Sequence, residues 1–132
     1  MKIRELENAD FSQVIEIWKK SFNNNFDKEI NSTYLTDPSS ITLVSVDSNT
    51  ITGVASLHII KKLTRTLGLI EDVAVNENYR GKGIGKKLVE KLIGIASEKS
   101  CDKTVLNSSE KNSEFYEKIG FEKNEIQMII RN

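Results

Sequence analysis

The chain has 132 residues, 38% of them hydrophobic and one of them proline, which fits a single compact domain over residues 1–132 and excludes a disordered chain. Nineteen Lys plus Arg balance nineteen Asp plus Glu, so no global field recruits nucleic acid or an anionic membrane, and no apolar run is long enough to span one; with charge present from Lys2 onward, the expectation is a soluble, cytoplasmic protein. One cysteine, Cys101, and one histidine, His58, exclude an internal disulfide and argue against a metal site or an activated thiolate nucleophile.

In chain order, "KIREL" alternates and predicts a first strand, and "DFSQVIEIWKKSF" spaces Phe11, Val14, Ile15, Trp18 and Phe22 at helical intervals behind Asp10 as a candidate cap. Residues 23–40 are polar with scattered aromatics and read as a loop with a short helical turn, a place to admit substrate. "ITLVSV" and "ITGVASLHII", joined by a polar turn, predict a hairpin. After the basic connection "KKLTRTLG", "LIEDVAV" predicts a strand with Leu69, Glu71, Val73 and Val75 on one face and Ile70, Asp72 and Ala74 on the other, so two acids interrupt an apolar strand. From Ile84 to about Lys99 the apolar set repeats with helical period; "KTVLNS" is the next strand, "KNSEFYEKI" a helix ended by Gly120, and "NEIQMIIRN" a last strand.

Between the acid-bearing strand and the helix at Ile84 lies "NYRGKGIGKKL", with glycines at alternate positions 81, 83 and 85. Main-chain N–H groups of residues 81–85 can converge on one space at a helix N-terminus, where negative charge is favoured: a phosphate cradle. The spacing is neither the Gly-Lys-Ser/Thr ending of an ATP loop nor the Gly-x-Gly-x-x-Gly of a dinucleotide fold, and a tight turn opening a solvated basic helix remains the alternative.

Arg80-x-x-Gly83-x-Gly85 after "DVAV" resembles the pyrophosphate-binding motif of the GNAT acetyltransferase superfamily, and "NSEFYEKIGF" from Asn112 to Phe121 resembles its second signature. The resemblance covers residues 69–121 and implies an α/β fold: a central mixed sheet with helices on both faces and a splay between strands 4 and 5 that takes the pantetheine of acetyl-CoA. It further implies acetyl-CoA contacts from Val73, Ala74 and Val75, from Arg80, Gly81, Lys82, Gly83, Ile84 and Gly85, and from Asn112 and Tyr116 near the thioester.

Acyl transfer to an amine needs the amine neutral and the departing thiolate stabilised. Tyr116, a phenol, is the candidate general acid, and Glu71 or Asp72 the group that orients or deprotonates the amine. More narrowly, "IEDVAVNENYRGKGIGKKLVEKLI" and "SEKNSEFYEKIGFEKNEIQMIIR" are similar to the glucosamine 6-phosphate N-acetyltransferases, which act on the route to UDP-N-acetylglucosamine. That similarity implies a homodimer and aminosugar contacts from Glu71, Asp72 and Asn107, with Lys62, Arg65 and Arg131 near the sugar phosphate. Three departures bear on the substrate rather than on the transfer: a shorter connection before Ile70, Asn107 in place of an acid, and Phe22 in place of a small hydroxyl residue. Another small amine or a peptide N-terminus, or a non-catalytic acyl-CoA-binding module, are the alternatives.

Overall fold

The computed structural model describes residues 1–23 and 33–132, so the central part of the polar segment expected to admit substrate lies outside the described residues. Five strands form one sheet in chain order: β1 (Lys2–Glu5), β2 (Ser40–Asp47), β3 (Thr50–Lys61), β4 (Thr66–Val75) and β5 (Lys103–Leu106). The first four are antiparallel neighbours and β5 runs parallel to β4, which makes the sheet mixed. Helix α1 (Phe11–Phe22) follows β1, α2 (Ile84–Glu98) makes the crossover from β4 to β5, and α3 (Glu110–Ile119) follows β5.

The alternation of β2 and β3 sends side chains to two apolar layers. Val44 and Val54, with Ala74, pack beneath α1 against Val14 and Ile17, while Leu43, Ala55, Leu57 and Ile70 pack against Leu88, Val89, Leu92 and Ala96 of α2. Helices therefore cover both faces. Helix α2 comes close to the sheet at Gly53, where a β-carbon would lie 2.8 Å from Ile84 Cγ2.

Three readings of the sequence are corrected. Asp10 does not cap α1 through its side chain; its buried carboxylate instead accepts two bonds from Arg4, at 2.7 and 3.0 Å, and one from the Glu7 N–H, which satisfies an acid that is 5% exposed. Strict alternation along β4 fails: Ile70 enters the α2 layer but Ala74 enters the α1 layer. The register explains it, for Ser56 pairs with Glu71 and Val54 with Ala74, leaving Asp72 and Val73 together opposite Ala55. This is a β-bulge, and one extra residue reverses the side-chain parity beyond it. Finally, residues 121–132 form no strand; Ile126, Met128 and Ile130 are each at least 85% exposed. A strand exists only where a neighbour takes its main-chain bonds, and among the described residues nothing pairs with that tail.

Candidate active site

The bulge residue Asp72 has φ +57°, a left-handed conformation uncommon outside glycine and best tolerated by Asn and Asp. Two residues before it, at the pair Ile70–Leu106, β4 and β5 stop bonding to each other, although β4 runs on to Val75. The strands part there, and from Glu71 to Val75 the β4 edge on that side has no strand partner among the described residues.

A cavity of about 280 Å³ opens in this gap, lined by Phe22 from α1, Ile70 to Val73 from β4, Leu106 at the end of β5 and Asn107 to Ser109 after it, and Asn112 and Tyr116 from α3. Asn112 and Tyr116 lie one helical turn apart and so share a face of α3, whose start is capped by Ser109 accepting from the Asn112 N–H. The Tyr116 ring stands edge-on between Phe115 and Phe121, with centroids 5.0 and 6.0 Å away. Burial raises the Tyr116 hydroxyl above its ordinary pKa, so it keeps its proton through neutral pH. Solvent reaches Asp72, yet the cleft walls desolvate its carboxyl and raise its pKa, and the neighbouring Glu71 pushes it further; His58 pulls weakly the other way. One end of the gap thus offers a held proton and a more basic carboxylate.

The glycine loop lies beyond the open end of β4. The Asn76 side chain accepts from the Asn78 N–H and starts a single 3-10 turn over Glu77–Tyr79. Gly81 and Gly83 then take φ +80° and +78°, and a β-carbon at either would meet nothing within 4 Å, so a side chain there would project into open space at the mouth of α2. Gly83 is the residue from which α2 starts, and its carbonyl accepts the Lys87 N–H, leaving the first N–H groups of the helix free for an anion. Lys82 Nζ lies 5.3 Å from the Tyr79 ring centroid. The loop has the features a pyrophosphate requires: free N–H donors, space, and cationic neighbours.

The sequence profile of the acetyltransferase (GNAT) family matches residues 2–121. The chain belongs to that family. A glucosamine 6-phosphate N-acetyltransferase of Dictyostelium discoideum is 44% identical over 93 residues, covering 68% of this chain and 59% of that protein. A glucosamine 6-phosphate N-acetyltransferase of Trypanosoma brucei brucei is 51% identical over 81 residues, covering 59% of this chain and 55% of that protein. The matched stretch thus spans a little over half the length of these relatives. Among solved structures, an acetyltransferase of Trypanosoma brucei superposes with a TM-score of 0.85 at 35% identity over 99% of each chain.

Of the GNAT site residues expected from sequence, Glu71, Asp72, Val73, Asn107, Asn112 and Tyr116 line one cavity, with Phe22 on its wall. Ala74 and Val75 continue the open edge toward the loop, Ala74 with its side chain buried beneath α1. Arg80 also borders a second depression, between α1 and the end of β4, whose rim holds the Lys20–Glu77 ion pair at 3.5 Å. Lys62 and Arg65 are not brought to the cavity: they sit in the β3–β4 turn, where the Lys62 N–H bonds the Arg65 carbonyl, and β4 begins at Thr66, five residues before Glu71 and therefore roughly 17 Å along the strand. Arg131 lies in the exposed tail and does not line the cavity either.

Two contributors were missed. Trp18, noted in the sequence only for its helical spacing, donates its indole N–H to the Asp72 carbonyl at 3.1 Å. A chain of hydroxyls runs from Tyr34 through Thr42, at 2.6 Å, to Ser56, at 2.7 Å, and ends at the residue paired with Glu71. Small hydroxyl residues inside apolar strands were the available signal. Among the described residues no helix is long and apolar enough to cross a membrane, and no group of three or more His, Cys, Asp or Glu side chains is placed to hold a metal.

Proposed function

We propose that the chain is an N-acetyltransferase that moves the acetyl group of acetyl-CoA to the amine of glucosamine 6-phosphate, giving N-acetylglucosamine 6-phosphate for UDP-N-acetylglucosamine synthesis. The observation that carries this reading is the gap between β4 and β5, with a helix-start anion cradle at one end and Glu71, Asp72 and Tyr116 around a cavity at the other. Residues 80–85 hold the pyrophosphate, the open edge at Val73 to Val75 bonds the pantetheine arm, and Asn112 flanks the thioester. The amine attacks the thioester carbonyl, the carbon–sulfur bond breaks, and Tyr116 gives its proton to the departing thiolate. Glu71 and Asp72 orient the amine and take its proton. An amine with a pKa near 8 costs only about 1 kcal/mol to deprotonate at pH 7, whereas a lysine-like amine costs roughly 4 to 5, so a modestly raised carboxylate suffices for the former.

A single chain leaves the phosphate end of the substrate incomplete, since Lys62, Arg65 and Arg131 lie away from the cavity. We read the working form as a homodimer in which a second copy covers the exposed Ile126, Met128, Ile129 and Ile130 and brings its Arg131 to the sugar phosphate. A single free cysteine fits a reducing compartment, the cytoplasm. The test is thiol release from acetyl-CoA across a panel of amines containing glucosamine 6-phosphate, glucosamine, a polyamine and a peptide N-terminus, together with the mass in solution by light scattering. Preference for glucosamine 6-phosphate by a dimer is expected. Preference for an unphosphorylated amine removes the aminosugar reading, and acetyl-CoA binding with no turnover on any amine removes the enzyme.

A further inference from the structure

The bulge that turns Glu71 and Asp72 toward the cavity is fastened from outside the sheet. Asp72 and Val73 stand together opposite Ala55 where the register shifts, and φ +57° is a conformation an L-residue's backbone does not favour. The Trp18 indole Nε1–H donates to the Asp72 carbonyl from 3.1 Å, across 54 residues of sequence. Trp18 is itself anchored, packing against the apolar layer of Val14, Ile17, Val54 and Ala74. One turn further along α1, on the same face, is Phe22, which lines the cavity. Helix α1 therefore touches the amine end of the cleft twice, once through an apolar wall and once through a directional bond.

We propose that Trp18 is a positioning residue for acetyl transfer: its N–H latches the Asp72 carbonyl and holds the bulge in the left-handed turn that keeps both acids facing the amine. The proposal rests on reading the cavity as the amine site. An aromatic present only to fill space would be replaced by phenylalanine at a cost shared by the whole domain; a latch would be lost locally, at the amine end and not at the glycine loop.

Trp18→Phe keeps a ring in the layer and removes the donor. Acetyl-CoA affinity by calorimetry is expected to stay at the wild-type value while the KM for glucosamine 6-phosphate rises about three- to tenfold, the effect of one ordinary hydrogen bond. Hydrogen–deuterium exchange at Val73 and Ala74 is expected to quicken while the amides of α2 and of the β2–β3 ladder keep their protection. Exchange that quickens uniformly, or an unchanged KM with unchanged exchange at the bulge, overturns the latch. If the wild type leaves glucosamine 6-phosphate unacetylated, the substrate reading fails by itself, and the exchange pattern alone decides Trp18: local quickening supports the latch and its absence overturns it.

Discussion

From Leu67 to Ile70, β4 is bonded on both edges, to β3 and to β5, and its Ile70 is 2% exposed; from Glu71 to Val75 the same strand is bonded to β3 alone, bulged at Asp72, and borders a cavity. The first half commits its polar main chain to the sheet and its side chains to the core. The second leaves one edge of main chain and two carboxylates free. A strand can thus change from scaffold to site within two residues, provided that one neighbour stops and a bulge turns the side chains.

The largest effect is expected in the paired half. Ile70→Ala removes a fully packed side chain between Leu57 and α2 and should cost about 2 to 5 kcal/mol in urea unfolding. A small loss would mean that the two halves are not energetically distinct. On the open side, Tyr116→Phe should leave the melting temperature nearly unchanged, since the ring still packs with Phe115 and Phe121, yet lower turnover about ten- to a thousandfold. Steady-state and single-turnover rates check it, and an intact rate would hand the protonation to water.

Where the open half runs into the glycine loop, Gly83→Leu tests the cradle. A β-carbon there meets nothing within 4 Å, so the main cost to the fold is the left-handed backbone strain, roughly 1 to 2 kcal/mol, whereas acetyl-CoA binding by calorimetry should weaken about tenfold or more. Wild-type affinity in the folded variant would move the pyrophosphate elsewhere.

The smallest effect, and the sharpest on the bulge, is that of Asp72→Asn. Asparagine tolerates the left-handed turn, so chiefly the charge changes. Because the folded pKa of Asp72 lies above its unfolded value, the group favours folding below about pH 4, and that contribution is lost as the pH rises through the raised value. The variant should therefore melt a little higher than wild type at pH 7, with the gap closing as the pH is lowered toward 4, and should acetylate more slowly. A variant that melts lower at pH 7 would show the carboxylate to be a stabilising contact rather than a strained functional one.

Elements whose cause is local are legible in the order of residues. The 3.6-residue apolar repeats of α1 and α2, the polar turn of the hairpin, and the alternate glycines around Ile84 each follow from short-range sterics and periodicity, and each stands where those rules put it. The paired motifs of residues 80–85 and 112–121 pointed to the GNAT family and to Asn112 and Tyr116 of the cavity's lining. Tertiary structure alone decided the rest. No periodicity announces a bulge, because it arises from how β4 meets β3; Ile70 and Ala74, assigned to one face, are separated by it. The reach of Trp18 to Asp72 depends on α1 lying across the sheet, and the spacing of its residues says only that one face is apolar. The alternating, apolar tail of residues 124–132 has the composition of a strand but no partner among the described residues, for a strand's hydrogen bonds are made with something else and its own sequence does not supply it.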